Sequence, residues 1–237
     1  MQTLSPRNVY WQGLRDALPF MLVTGPFGLV FGVVAAEAGL GLSQVMAFSM
    51  TVIAGAAQLT ALQLMREGAP LVIVIVTALA VNTRMAMYSA SLLPHLGAAP
   101  IWQRALIAWL MVDQAYASSI LRYERAPVLT TAQKVAYYFG IVTPVLSAWV
   151  GGSLAGAVLG EAIPPQIPIA AAVPIAFMAL IGPMLRTLAQ ATAALVSILG
   201  ALVFSGLPYN LGLLVAALAA MASGALVEVW MERRRRA

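Results

Sequence analysis

The chain has 237 residues, 62% of them hydrophobic and 9% charged, and its 13 Lys and Arg against 8 Asp and Glu give a net charge of +5. Soluble domains carry roughly 25% charged residues, so this composition cannot cover a water-facing surface, and disorder would require far lower hydrophobicity. A polytopic, all-α membrane protein remains, and at about 20 apolar residues per crossing the length holds at most about ten spans.

In chain order the apolar segments run over residues 18–38, 44–65, 70–93, 101–121, 133–160, 167–185, 188–206 and 209–230. Breakers separate them: Gly39-Leu40-Gly41, the Glu67–Pro70 turn, Pro94 to Pro100, Pro164-Pro165 and Gly206-Leu207-Pro208. The boundary at Arg186-Thr187 is thin, so seven spans is the alternative count. Eight spans with both ends cytoplasmic place Arg7, Arg15, Arg66, Arg122, Arg125, Lys134, Arg186 and Arg233–Arg236 on one side and Arg104 on the other, in keeping with the positive-inside rule. The expected organisation is a cytoplasmic segment 1–17, one transmembrane domain 18–230 and a basic cytoplasmic tail 231–237. No secretory cleavage site follows the first apolar segment. The basic tail reads as a membrane-proximal end in contact with the lipid bilayer, not as a nucleic-acid surface.

Small residues recur every four positions in three segments: Gly28, Gly32 and Ala36, then Gly152, Gly156 and Gly160, then Ala216, Ala220 and Gly224. Such stripes let helices approach closely where hydrophobicity cannot drive association. They suit packing inside one bundle, with a dimer seam as the other use. Pro26, Pro144, Pro174 and Pro183 fall within segments, and proline or glycine breaks at membrane depth survive only in protein or beside a cavity. No internal repeat is evident beyond a loose Pro-then-Gly pattern shared by the first and fifth segments.

The third segment carries Asn82, Arg84, Tyr88, Ser89 and Ser91, with Thr77, Arg84, Tyr88 and Ser91 on one helical stripe. A central Arg costs about 2.5–3.5 kcal/mol on insertion scales, so Arg84 is expected to point into the bundle. The fourth segment holds Asp113, the acid deep in a span, near Trp109 and Tyr116. If the two helices are straight and antiparallel, Arg84 and Asp113 differ in depth by about 5 Å, within reach of an ion pair. That pair is either structural, or it holds a substrate carboxylate at Arg84 while Asp113 titrates or meets an ammonium. Gln58, among small residues in the second segment, can reach a ligand or a facing carbonyl. His95, the single histidine, sits beside Pro94 as an interfacial residue.

Absences narrow the function. The chain has no cysteine, so disulfides and thiolate chemistry are excluded. There is no HExxH, no Gly-rich phosphate loop and no GxSxG elbow, and the interior lacks convergent acids for a metal. No catalytic residue, metal or cofactor is expected, and the chain reads as a transporter, not an enzyme.

The runs Gly25-Pro26-Phe27-Gly28-Leu29-Val30-Phe31-Gly32, Ala54-Gly55-Ala56-Ala57-Gln58, Asn82-Thr83-Arg84 with Tyr88-Ser89, and Asp113, in that order, resemble the AzlC family over about residues 15–120. That family comprises the large subunits of bacterial branched-chain amino-acid exporters. The resemblance implies proton-driven export of leucine, isoleucine and valine, with methionine a further candidate, across the bacterial inner membrane, together with a small AzlD-type membrane subunit. The family's Asp-Glu falls on 113–114, where this chain has Gln114, leaving Asp113 as the proton-coupling candidate. Arg84 and Gln58 are then expected at the substrate carboxylate, with Asn82 nearby and Phe27, Phe31 and Tyr88 shaping an apolar pocket. A facilitator for another small amphiphile and a non-transporting scaffold are the rival classes.

Overall fold

A computed structural model describes residues 5–125, 128–162, 187–207 and 211–236, and every regular element among them is a helix. The order is α1 (Pro6–Glu37), α2 (Leu42–Thr51), α3 (Gly55–Arg66), α4 (Leu71–Leu96), α5 (Ile101–Trp109), α6 (Asp113–Arg125), α7 (Thr131–Ala162), α8 (Leu188–Val203) and α9 (Leu211–Arg236). The all-helical, multi-pass membrane class expected from composition is what the structure shows. Four helices among the described residues are long and apolar enough to cross a bilayer: Pro6–Glu37, Leu71–Leu96, Thr131–Gly160 and Val215–Arg234. The expected sixth segment, 167–185, with Pro174 and Pro183, lies outside the described residues, as do Pro164-Pro165, Arg186 and Pro208.

The chain forms two compact units, residues 1–62 with 78–167 and residues 63–77 with 168–237. In the first, α1 and α7 run parallel along their length, because their small residues leave no space for side chains between the backbones. A Cβ on Gly13 would meet the carbonyl of Tyr137, one on Gly28 the carbonyl of Trp149, and one on Gly160 the Cα of Val33. Gly32, Gly152 and Gly156 are blocked the same way by Ser153, Gly25 and Leu29. The stripes of the first and fifth segments therefore meet each other within the chain. In the second unit, Gly200 packs on Ala216 and Gly224 on Ala193, an antiparallel register of α8 and α9 that uses the third stripe.

Two of the expected straight segments double back. Phe48 in α2 lies against Phe31 at 5.8 Å between ring centroids, and Ser49 bonds Ser153 at 3.0 Å, so α2 descends alongside α1 and α7. Gly55 then sits deeper, against Phe27 and Trp149. Gln58 returns to the level of Phe48, donating Nε2–H to its carbonyl at 2.9 Å; in a continuous helix ten residues would separate them by about 15 Å. The second reversal is symmetric in kind. Arg104 bonds the Gly97 carbonyl at 3.4 Å, so α5 runs back along α4, and α6 then runs parallel to α4. Arg84 meets Asp113, Tyr116 bonds Ser91 and Tyr123 stacks near His95 in ascending order on both helices. Arg104, assigned by straight spans to the side opposite Lys134, lies instead at the same end, where His95 Nδ1 is 3.3 Å from Lys134 Nζ.

The reversals are not at prolines. Pro19 and Pro26 stay inside α1, Pro94 inside α4 and Pro144 inside α7. The first break, Val52-Ile53-Ala54, follows Thr51, whose hydroxyl bonds back to the Ala47 carbonyl at 2.7 Å and competes with the backbone ladder. Glycine follows at 55. The second break, Leu110-Met111-Val112, ends at Asp113, whose carboxylate suits the first turn of a helix. The hairpins also repeat: α3 and α6 begin 58 residues apart, at Gly55 and Asp113. At that offset Thr51 corresponds to Trp109, and these two residues touch, indole Nε1–H to carbonyl at 3.3 Å. The hairpins thus come from opposite ends and meet tip to tip, an inverted repeat of the kind built around mid-membrane sites.

Candidate functional site

The second hairpin holds the charges. Arg84 Nη2 lies 3.1 Å from Asp113 Oδ2, with 38% and 44% of the two side chains exposed. Asp113 opens α6, so its side chain sits at the positive pole of a half-helix as well as against a guanidinium. One turn along, Tyr88 and Tyr116 stack at 4.1 Å with planes 8° apart, and the Tyr116 hydroxyl donates to Ser91 at 3.1 Å. Arg84 and Asp113 meet because α6 runs parallel to α4, not antiparallel as straight spans require. Arg84 Nε, Asp113 Oδ1 and Asn82 Oδ1 are buried with no hydrogen-bond partner among the described residues. Hydrogen-bonding capacity left over around an ion pair fits a place where a polar molecule binds.

The first hairpin holds the aromatic rings. Phe31 stacks on Trp149 at 5.5 Å and Phe27 tilts against it at 5.7 Å. Gly55, the first residue of α3, faces these rings so closely that a Cβ would collide with Phe27. Gln58 is fully buried, and with its Nε2 committed to the Phe48 carbonyl its Oε1 is left without a partner among the described residues, as is Trp149 Nε1. The expected residues therefore fall into two sets: Phe27, Phe31 and Gln58 with Phe48 and Trp149, and Asn82, Arg84, Tyr88 and Asp113 with Tyr116. Gln114, beside Asp113, is half-buried. His95 belongs to neither set; it packs on Tyr123 and Lys134.

Breaking two helices inside a membrane frees carbonyls that lipid cannot satisfy. Side chains satisfy them here. Gln58 takes Phe48 and Trp109 takes Thr51, while the Tyr138 hydroxyl lies 3.1 Å from the Ile107 carbonyl and 3.2 Å from that of Leu110. Tyr138 and Trp149 escape a reading of the sequence, since nothing in the order of residues shows that α7 faces the broken segments. Trp149 carries one signal, a large residue set against Gly28 and Gly55. Among the described residues no group of three or more His, Asp and Glu could hold a metal ion.

The AzlC protein family model matches residues 19–163, the stretch that runs from the middle of α1 through both hairpins to the end of α7. The chain belongs to the AzlC family. It is 27% identical over 160 residues to the inner membrane protein YgaZ of Escherichia coli, covering 65% of this chain and 62% of that one. It is 29% identical over 134 residues to a membrane protein of Helicobacter pylori, covering 56% and 57%, and 24% identical over 170 residues to one of Archaeoglobus fulgidus, covering 69% and 68%. The chain thus spans less than two thirds of the length of the first of these relatives. No solved structure matches it. Family membership, apolar helices and membrane-protein relatives together make it a multi-pass membrane protein of this family.

Proposed function

We propose that this chain is the large subunit of a proton-coupled exporter of branched-chain amino acids in the bacterial inner membrane, working with a small AzlD-type membrane subunit. Leucine, isoleucine and valine are the substrates, with methionine a further candidate. The observation that carries the reading is the Arg84–Asp113 pair at 3.1 Å, set at a helix break in an otherwise apolar interior. A zwitterion replaces the pair directly: its carboxylate takes Arg84 and its ammonium takes Asp113, while Asn82, two residues from Arg84 and on another face of α4, holds a further unpaired oxygen. A proton on Asp113 excludes the ammonium, so proton and amino acid alternate at one carboxylate, which is the logic of antiport. Gln58 does not join Arg84 at the carboxylate as expected: its donor is spent on Phe48, and the oxygen left over can only accept. Tyr88 walls the charged set and Phe27 and Phe31 the aromatic one; few fixed polar groups among apolar walls suit such a ligand.

Charge placement orients the first unit. Arg7, Arg15, Arg104, Arg122, Arg125 and Lys134 share the end where α1 and α7 begin, tied by the Arg122–Gln12 bond at 2.9 Å and the Lys134–His95 contact. Residues 16–62 contain no Lys or Arg. The positive-inside rule makes the cation-rich end cytoplasmic. Efflux of preloaded labelled isoleucine, measured from cells expressing the chain with its small subunit, with and without a protonophore, tests the reading. Efflux that collapses with the gradient is expected. Gradient-independent efflux would turn it into a facilitator, and verified membrane insertion without efflux would refute the substrate.

A further inference from the structure

Between α4 and α5 lies a cavity of about 350 Å³, bordered among others by Ser89, Leu92, Leu96, Arg104, Ala108 and Met111. This volume falls within the roughly 300–1,000 Å³ of small-molecule sites. The cavity exists because α5 is the returning arm of a hairpin and does not pack flush on α4. Its inner end is at Ser89 and Met111, the first next to Tyr88 and the second two residues before Asp113. Its outer end is at Gly97, Ile101 and Arg104, beside the cation-rich end of the unit. Among the described residues Arg104 faces no carboxylate; its one hydrogen bond is to the Gly97 carbonyl.

The geometry points to a cytoplasmic access vestibule in which a zwitterionic amino acid with an apolar side chain is held by Arg104 before it reaches Arg84 and Asp113. This assignment rests on the transport function and orientation proposed above. The leucines and alanines of α4 and α5 accept the side chain, while the Arg104 guanidinium draws the carboxylate; a positive group at the open end of an apolar cleft raises the local concentration of anionic ends. An acyl chain is the other occupant of matching shape, but its terminal methyl would lie at the inner end against the Ser89 hydroxyl, where an apolar group gains least. The amino acid instead passes its charged end from one arginine to the next.

The chain lacks cysteine, so one introduced thiol reports on the cavity without background. Ala108→Cys, with Ala105→Cys as a second position should the first not insert, is treated with a charged, membrane-impermeant thiosulfonate in inside-out and in right-side-out vesicles. Labelling is expected from the cytoplasmic face alone, and isoleucine at ten times its half-saturating concentration slows it about tenfold. In the companion variant, Arg104→Gln raises the cytoplasmic isoleucine concentration for half-maximal transport about three- to tenfold and leaves the maximal rate unchanged. Isoleucine efflux with no cytoplasmic labelling, or with labelling that isoleucine does not slow, overturns the vestibule while the transport reading stands. Absent isoleucine efflux with labelling slowed by a different apolar amino acid upholds the vestibule and overturns the proposed substrate.

Discussion

The two hairpins solve one backbone problem with different chemistry. Each descends about ten residues, breaks for three and returns, and at an offset of 58 two buried positions of the returning arms coincide: Ala57 with Ala115, both within 1% exposure, and Ala61 with Ser119, at 4% and 0%. Each also borders the preceding long helix with a pair of residues four apart, Phe27 and Phe31 on α1, Arg84 and Tyr88 on α4. Yet the first break is walled by rings and opened by a glycine, and the second is opened by an aspartate facing an arginine. A shared backbone with unlike side chains separates two tasks, accommodating an apolar body and handling charge. The ways to break this division follow in order of size.

Asp113→Asn is expected to have the largest effect. The amide keeps the shape and a first-turn acceptor at α6 but cannot bind a proton or balance an ammonium. Protonophore-sensitive isoleucine efflux should fall at least about tenfold, with maximal rate and efficiency falling together, the pattern of a lost step and not of weakened binding. Exchanging the pair, Arg84→Asp with Asp113→Arg, sharpens the test. A purely structural pair recovers transport in the exchanged protein, whereas a substrate site does not, because the groups meeting the carboxylate and the ammonium of the amino acid would then be reversed.

This contrast was half legible in the sequence. A lone arginine and a lone aspartate deep in apolar segments cannot both face lipid, so Arg84 and Asp113 announce themselves by cost alone. Glycine spacing in the first and fifth segments likewise announces the α1–α7 seam. The hairpins do not announce themselves. A 25-residue apolar run has the same composition whether it crosses or returns, and the turns lack proline. Their carbonyls are satisfied by Gln58, Trp109 and Tyr138, partners distant in sequence for two of the three. The inverted repeat was hidden because its halves share a backbone course, not residue identity: Gly55 and Asp113 hold equivalent positions with opposite chemistry.

Gly55→Val tests the aromatic half. Its added carbons would collide with Phe27 and press on Trp149, whose Cη2 is 2.9 Å from the ideal Cβ position. Overpacking of this type costs about 1–3 kcal/mol, expected as a lower yield of inserted protein and a lower midpoint in detergent thermal unfolding. Phe27→Ala in the same chain removes the struck ring, so the double variant should recover stability while losing discrimination between isoleucine and smaller amino acids in a competition assay. If the single variant keeps full stability, the first break does not depend on close approach, and the two hairpins differ less than their side chains suggest.

Trp109→Phe carries the smallest effect and bears on the symmetry itself. Trp109 and Thr51 are equivalent positions of the two hairpins, and the indole N–H to the Thr51 carbonyl is the described hydrogen bond between their tips. Phenylalanine retains the ring and loses the donor. Leaving a carbonyl unpaired costs about 1–3 kcal/mol when buried, but Trp109 is about half exposed, so the low end applies. For a chain of this size about 1 kcal/mol corresponds to a thermal shift of roughly 2–4 °C. If the tips move apart when substrate passes, this bond must break in each cycle. Trp109→Phe should then lower the melting midpoint by that small amount while leaving the isoleucine efflux rate equal or higher. A fall in rate larger than the fall in stability would instead place the tip contact inside the substrate path, and would join the two halves into one site.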